Sequence, residues 1–458
     1  LDLAIRVWIV ASIFLPMISL IAMFCIWWER KTAGHIQSRL GPVHVGGKFG
    51  WLQSLADGIK LVSKEDLIPK GADHLLFRLA PYLAFAPVFA AFVALPFGPQ
   101  WCFEPALHIG VLYLLAVLAV EVMGTMLAGW ASNSKWAIYG AMREACQMVS
   151  YEIPLGLAII CGVITAGTLN LVSLNYLQGG GMMDWFIYHN PFIFATFFIY
   201  YVASLASTKR APFDLPESES ELVAGYHTEY SGIRWSFFFF GEYGAMFVVG
   251  AIQAMLFLGG WNSPLGPIDP IYLWIGFDPI AAGEAHFAGT ISEATTWSDK
   301  AEVLGVTPMG LIALNLYCAA WFVFKALTII FVQIWVRWTL PRIRIDQVLY
   351  SCVKVLLPAA LVCLVGVAVW VAIVPQPTVP ATIHPEAQEV LYLGHLVGQT
   401  PWLQWVTQIA LLVINLAMLL SMMGVVVWAW LHRDRMPRKS IFLDIMPVGR
   451  DVAFTKKH

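Results

Sequence analysis

Long apolar runs alternate with polar connections from the first residue onward. Runs near 3–28, 75–97, 107–130, 147–170, 191–207, 235–259, 309–338, 353–375 and 405–430 are each long enough to cross a hydrocarbon core of about 30 Å as a helix. They lack the regular two-residue alternation of a membrane barrel. The pattern predicts an all-α, polytopic membrane protein with eight core spans and a ninth near the carboxyl end. The Pro-punctuated stretch PQPTVPATIHPEAQ, just after residue 375, divides the chain into a membrane domain 1–375 and an extension 376–458 that carries the ninth span and a basic tail. The first span has only Arg6 before its core and no small-residue cleavage site after it, so it reads as an anchor.

The connections differ in character. In FGWLQSLADGIKLVSKEDLIP, residues 49–69, Leu52, Leu55, Ile59 and Val62 recur at helical spacing while Gln53, Asp57, Lys60 and Lys64 take other faces, which predicts an interfacial helix. The preceding GPVHVGGKFG is glycine-rich and reads as a turn-forming connection. The connection 260–308 holds several Gly and Pro with little helical periodicity, and it is long for a structureless loop. No internal repeat stands out, which weighs against a transporter of inverted halves.

Basic residues orient the spans, because Lys and Arg are retained on the cytoplasmic side. Arg30, Lys31, Arg39, Lys48, Lys60, Lys64 and Lys70 fall between the first two spans, whereas 98–106, 171–190 and 376–404 carry no Lys or Arg. Lys135 and Arg143, then Lys209, Arg210 and Arg234, then Arg342 and Arg344, and finally the tail after 431 repeat the bias on the same side. The amino terminus is therefore expected outside and the carboxyl terminus in the cytoplasm. Composition agrees with a membrane protein: 12 % of residues are charged, against roughly 25 % in soluble domains, and the mean hydropathy is +0.71.

Candidate redox chemistry is thin. The seven cysteines are dispersed singly, without a CxxC pair, so no iron–sulfur cluster is expected. The eleven histidines lie in loops or at span ends, away from positions that would ligate a haem between helices. No GxGxxG or P-loop offers a seat for a flavin or nucleotide. No metal site and no nucleic-acid partner are expected; membrane lipid is.

Carboxylates carry the chemistry that remains. Glu121, Glu152, Glu242 and Lys325 fall within spans, where ionisable residues are costly and normally face protein or water along ion paths. The competing reading pairs a carboxylate with Lys325, or places it near enough to a span end to reach water. Between two spans lies RAPFDLPESESELVAGYHTEYSGIRW, with Asp214, Glu217, Glu219, Glu221 and Glu229. A short helix starting at Pro216 would set Glu217 and Glu221 on one face, where carboxylates raise one another's pKa. Such a cluster fits the mouth of a proton path, and it fits equally a solvated loop that docks a basic partner.

ERKTAGHIQSRLGPVHVGGKFGWLQSLADGIKLVSKEDLIP, SYEIPLGL, RAPFDLPESESELVAGYHTEYSG and FKALTIIFVQIWVRWTLPRIRIDQ resemble the signature segments of the H-subunit family of NADH–quinone oxidoreductase, respiratory complex I, whose mitochondrial counterpart is NADH dehydrogenase subunit 1. The resemblance runs in order from about residue 3 to 375. It implies a membrane subunit of eight core helices that seats the peripheral arm beside small membrane subunits, and the chain's length and extension point to a bacterial inner membrane. It implies too a chamber that admits quinone, as substrate, toward the iron–sulfur cluster of neighbouring subunits. Carried over by motif, Asp214, Glu217, Glu219, Glu221 and Glu229, with Glu152 of SYE and Glu242 of GEY, would start a chain coupling quinone reduction to proton pumping. Glu29 and Arg30, Arg39 of RLGP and Asp57 of ADG, with Arg210 and Arg234, would line the chamber. Arg30 also reads as a plain positive-inside anchor, Asp57 as a solvated face, and Arg210 as a local ion pair holding its loop. The family commonly reads GPNRVGP where this chain has GPVHVGG, so His44 replaces an arginine, and Glu121 and Glu144 stand where uncharged residues are expected. Two rival readings are the anchor of an ion-pumping hydrogenase and a stand-alone proton-coupled transporter.

Overall fold

The computed structural model describes residues 2–102, 107–216, 219–287, 290–293 and 297–373, with three more helical positions at 413, 417 and 420. Apart from those three positions, the ninth span expected over 405–430 and the basic tail lie outside the described residues, as does Glu217. Among the described residues every regular element is helical. The protein is an all-α, multi-pass membrane protein, as its apolar pattern requires: in lipid each backbone polar group must be satisfied within its own segment.

Helix α1 (Asp2–Ile36) leads through the glycine-rich connection to the short α2 (Gln53–Ser63), then to α3 (His74–Ala94), α4 (Gly110–Ala131) and α5 (Lys135–Ala166). Two short helices, α6 (Leu171–Tyr176) and α7 (Phe186–His189), precede α8 (Pro191–Ser207). One turn, α9 (Glu219–Leu222), leads to α10 (Gly232–Phe257). Four short helices follow: α11 (Pro270–Ile275), α12 (Pro279–Phe287), α13 (Thr290–Glu293) and α14 (Trp297–Val303). The long α15 (Pro308–Thr339) is followed by α16 (Ile345–Tyr350), which passes through a π-helical stretch at Ser351–Leu356 into α17 (Leu357–Ile373). Each of the eight spans expected up to residue 375 is thus occupied by a helix.

The boundaries moved where polar residues join a helix. The fourth span was expected from 147, but α5 begins at Lys135, because its first turns carry Lys135, Arg143, Glu144 and Gln147 on a helix that packs against its neighbours. The connection 260–308 is not structureless. Its helices of 6, 9, 4 and 7 residues are too short to show a period.

Short polar side chains fix the helix starts. Asp73 accepts from the amides of Leu75 and Leu76 at 3.0 and 3.3 Å, Asn190 caps α8 ahead of Pro191, and Thr307 caps α15 ahead of Pro308. Each cap satisfies amides that have no intrahelical partner. Asp73→Ala should lower the stability of the purified protein by about 1 kcal/mol, read as a small drop in thermal midpoint. No drop would mean that water replaces the cap.

Two observations set the layout. Helix α10 is the centre of the bundle: 89 % of its most apolar window is buried, against 17 % for the window in Ile345–Ala372. The expected interfacial helix is present as α2, with Leu52 just before it and Leu55, Ile59 and Val62 exposed. The turn before α2 closes tightly at Gly50, where φ is +65° and a Cβ would stand 2.4 Å from the Pro42 carbonyl oxygen. Only glycine fits there.

Candidate functional site

Successive spans cross in opposite directions, so the ends of α1, α4, α8 and α15 and the starts of α3, α5, α10 and α16 gather on one face, the face of the basic loops. At its rim α2 lies against the end of α1. Trp27 stacks on Trp51 with ring centroids 4.1 Å apart, and its indole N–H donates to the Phe49 carbonyl at 2.9 Å. The Ser54 hydroxyl donates to the Met23 carbonyl at 2.9 Å. Against this support Arg30 pairs with Asp57, and Lys60 stands 3.6 Å from the other Asp57 oxygen. Arg234 pairs with Asp66 at 2.9 Å, tying the start of α10 to the segment after α2.

Next to Arg30 in α1 but turned inward, Glu29 is buried and gathers three partners from distant parts of the chain. It accepts from the Tyr243 hydroxyl at 2.6 Å, lies 3.4 Å from Arg210, and pairs with Arg337. The Arg210 guanidinium also covers the Tyr243 ring at 4.2 Å. One carboxylate thus bridges two guanidiniums between α1, α10, α15 and the loop after α8.

On the other side of Arg210, Glu242 of α10 accepts from the Tyr226 hydroxyl at 2.9 Å, with His227 Nε2 3.6 Å away. The Tyr226 ring lies under the Lys209 ammonium, 5.3 Å from its centroid. Lys209 reaches Glu144 of α5 at 2.8 Å and Glu121 of α4 at 3.6 Å, with only 2 % of its side chain exposed. The Thr125 hydroxyl lies 2.7 Å from the same Glu144 oxygen. Lys209 takes φ +54°, a left-handed backbone that costs a non-glycine residue about 1–3 kcal/mol and persists only where the surroundings hold it. Here the inward ion pairs hold it. Burial works against the charge on Lys209, but Glu144, Glu121 and Glu242 outweigh it and hold its pKa above that of an ordinary lysine. It stays a cation at neutral pH.

The acidic loop is pinned from several sides. Gln147 donates to the carbonyls of Ala206 and Phe213 at 2.9 and 2.8 Å, Asp214 pairs with Arg342 at 3.0 Å, and Glu221 pairs with Arg143 at 2.5 Å. Glu229 is half-buried between the acidic turn and α10.

A sequence model of the NADH dehydrogenase family matches residues 9–368. The NADH-quinone oxidoreductase H subunit of Chlorobium luteolum is 44 % identical over 370 residues, covering 80 % of this chain and 90 % of that protein. The H subunit of Anaeromyxobacter dehalogenans is 42 % identical over 380 residues, 82 % of this chain and 85 % of its own length. That of Geobacillus kaustophilus is 40 % identical over 358 residues, 78 % and 92 %.

The chain belongs to the NADH dehydrogenase family.

Of the residues singled out in the sequence, this family member brings Glu29, Arg210 and Glu242 into one buried zone and sets Arg30, Asp57 and Arg234 at its rim. Arg39 stands apart, donating to Gln37 at 2.7 Å on the exposed surface. Glu152 lies on the exposed outer face of α5. Glu219 belongs to the turn α9, and its side chain is not among those described. Three local readings are corrected. Arg210 turns to Glu29 and not to Asp214, which Arg342 engages instead. Lys325 pairs with no carboxylate among the described residues: its ammonium donates to the carbonyls of Leu258 and Asn262, both at 2.6 Å, and covers the Trp185 ring. Lys209 is no simple marker of the basic face. It is the buried partner of Glu121 and Glu144, the two glutamates that looked out of place. Sequence reasoning missed Lys209, Tyr226, His227, Tyr243 and Arg337; the available signal was two unexpected carboxylates in apolar helices, which require a cation somewhere nearby.

Proposed function

We propose that this chain is the membrane subunit of a proton-pumping NADH–quinone oxidoreductase, respiratory complex I, that borders the quinone-access chamber and links quinone reduction to proton translocation. Glu29, Arg30, Arg39, Asp57, Arg210 and Arg234 belong to the chamber side. Asp214, Glu217, Glu219, Glu221, Glu229, Glu152 and Glu242 belong to the coupling path. The membrane domain is 1–375, and 376–458 is an extension. Electrons arrive from iron–sulfur subunits of the peripheral arm, with small membrane subunits alongside, and this chain contributes no redox centre. It sits in a bacterial inner membrane with its amino terminus outside.

The observation that carries the reading is the succession of charges running inward from an exposed rim to a buried interior. Arg30 and Asp57 lie under the exposed apolar face of α2, Glu29 with Arg210 and Arg337 lies behind them, and Glu242 follows in the central helix. An apolar, lipid-facing lip leading to fixed charges suits an amphiphilic substrate whose headgroup gains negative charge on reduction. Guanidiniums held by a carboxylate stabilise that charge, and titratable groups behind them carry the proton response.

The test is to tag the chain, extract it in mild detergent, identify what co-purifies and assay piericidin-sensitive quinone reduction by NADH. Flavin and iron–sulfur subunits with inhibitor-sensitive turnover are expected. Nickel–iron hydrogenase subunits, or a chain that emerges alone, would overturn the assignment.

A further inference from the structure

We propose that Glu121, Glu144 and Lys209 form, together with Glu242, an added proton-holding site in which Glu144 and Lys209 stay ionised and Glu121 is the carboxyl that takes up and releases the proton. The inference rests on the function proposed above and names residues outside the path given there.

Charge balance is the first argument. Glu121, Glu144 and Glu242 face one lysine, and all three carboxylates are buried. Counting in the neighbouring Glu29 with Arg210 and Arg337 returns one positive charge, which still leaves one negative charge in excess. A buried, uncompensated carboxylate is too costly to persist, and such a group neutralises by binding a proton. With His227, 3.6 Å from Glu242, counted as neutral, the described residues of the zone hold one proton beyond their ion pairs.

Geometry assigns that proton. Lys209 lies nearer to Glu144, at 2.8 Å, than to Glu121, at 3.6 Å. The Thr125 hydroxyl stands between Glu144, at 2.7 Å, and the Val122 carbonyl, at 2.8 Å, so the shorter contact with Lys209 is what supports a fixed charge on Glu144. Its second oxygen, Oε2, is buried without a hydrogen-bond partner among the described residues. Among the described residues, the charged groups that act on Glu121 are Lys209 from the loop after α8, Glu144 from α5 and Glu242 from α10, while α3, packed along the other side of α4, adds none. The Lys209 ammonium lies over the ring of Tyr226, whose hydroxyl binds Glu242. A change of charge at Glu242 is therefore felt at Lys209 and through it at Glu121. In the exchange, the proton leaves the Glu121 carboxyl for the Glu242 carboxylate, Glu121 becomes a carboxylate held by Lys209, and the reverse transfer restores the start.

The experiment uses membranes that contain the whole complex. Glu121→Gln should lower quinone-linked proton pumping by about 100-fold, the lower end of what a positioned proton carrier contributes. It should also remove one ionisation from the pH profile of turnover while the complex stays assembled. Glu121→Asp, which keeps a carboxyl, should recover part of the pumping with a displaced profile. Lys209→Met/Glu144→Gln removes the fixed pair without changing net charge, so it should assemble and show the Glu121 ionisation displaced to higher pH, because the cation that holds its carboxylate is gone. The infrared difference spectrum gives a readout independent of turnover: a protonated-carboxyl band in the unaltered protein should vanish in Glu121→Gln. An unchanged profile and unchanged band in Glu121→Gln overturn the proposal, as does a uniform loss at all pH values that Lys209→Met/Glu144→Gln reproduces, which is what a structural ion pair would give. If the unaltered complex fails to reduce quinone, the proposed function falls, and the infrared band still decides this site.

Discussion

Glu29→Gln is expected to cost the assembled protein about 3–5 kcal/mol, the penalty of leaving a buried charge without its partner, and to abolish quinone reduction. Glutamine keeps the shape and can still accept from the Tyr243 hydroxyl, but it carries no charge to balance Arg210 and Arg337. The two guanidiniums are then left to repel each other. Arg337 is 26 % exposed and can turn toward water, whereas Arg210 is 5 % exposed and cannot. It follows that Glu29→Gln/Arg210→Met should assemble better than Glu29→Gln alone, because the double change leaves only the charge that water can reach. The measurement is the amount and thermal midpoint of intact complex in mild detergent, followed by its turnover. A single variant as stable as the unaltered protein would show that Glu29 does not hold this zone together. A double variant worse than the single one would show that the arginines are supported by something other than Glu29.

Gly140→Val should be nearly as damaging, for a different reason. Gly140 lies within α5, where replacing glycine ordinarily favours the helix by up to about 1 kcal/mol. A Cβ at this position would stand 2.8 Å from both the Gly225 Cα and the Tyr226 amide nitrogen, which are backbone atoms and cannot swing aside. The turn that carries Tyr226 and His227 must then move outward, drawing the Tyr226 hydroxyl off Glu242 and its ring from under Lys209. Overpacking of this kind costs about 1–3 kcal/mol, and here the displacement falls on the coupling residues. The expected result is a complex that assembles in reduced amount and reduces quinone with weakened pumping. Gly140→Ala separates the two effects, since helix preference alone predicts a gain and close approach predicts a loss. A stabilised, fully coupled Gly140→Ala variant would mean that the turn has room to shift.

Much of the architecture was legible in the chain because the bilayer reads local hydrophobicity. The apolar stretches that become α3, α4, α8, α10 and α15 appear with ends shifted by only a few residues. Two exceptions, α1, which runs on to Ile36, and α5, which begins at Lys135, extend well beyond their apolar stretches, since a helix continues through polar residues wherever neighbours satisfy them. The amphipathic period of α2 was equally readable, because one face meets apolar surroundings and the other does not. Intramembrane carboxylates could be recognised as unusual from their surroundings alone.

Which charge answers which was not legible. Glu29 meets Arg210 across 181 residues and Arg337 across 308, and nothing in the spacing of either arginine marks it as a partner. Lys209 sits directly after a span, where basic residues need no special explanation, so its burial against Glu121 and Glu144 left no local trace. The sequence by itself determined where the apolar helices lie up to residue 375, where the amphipathic helix α2 lies, and which connections are basic, because each of these follows from the transfer of a short contiguous segment between water and lipid. Only the tertiary structure decided which carboxylates are held by which cations, because the attraction between two buried charges depends on their separation in space and on the low dielectric around them, and both are fixed when distant helices pack.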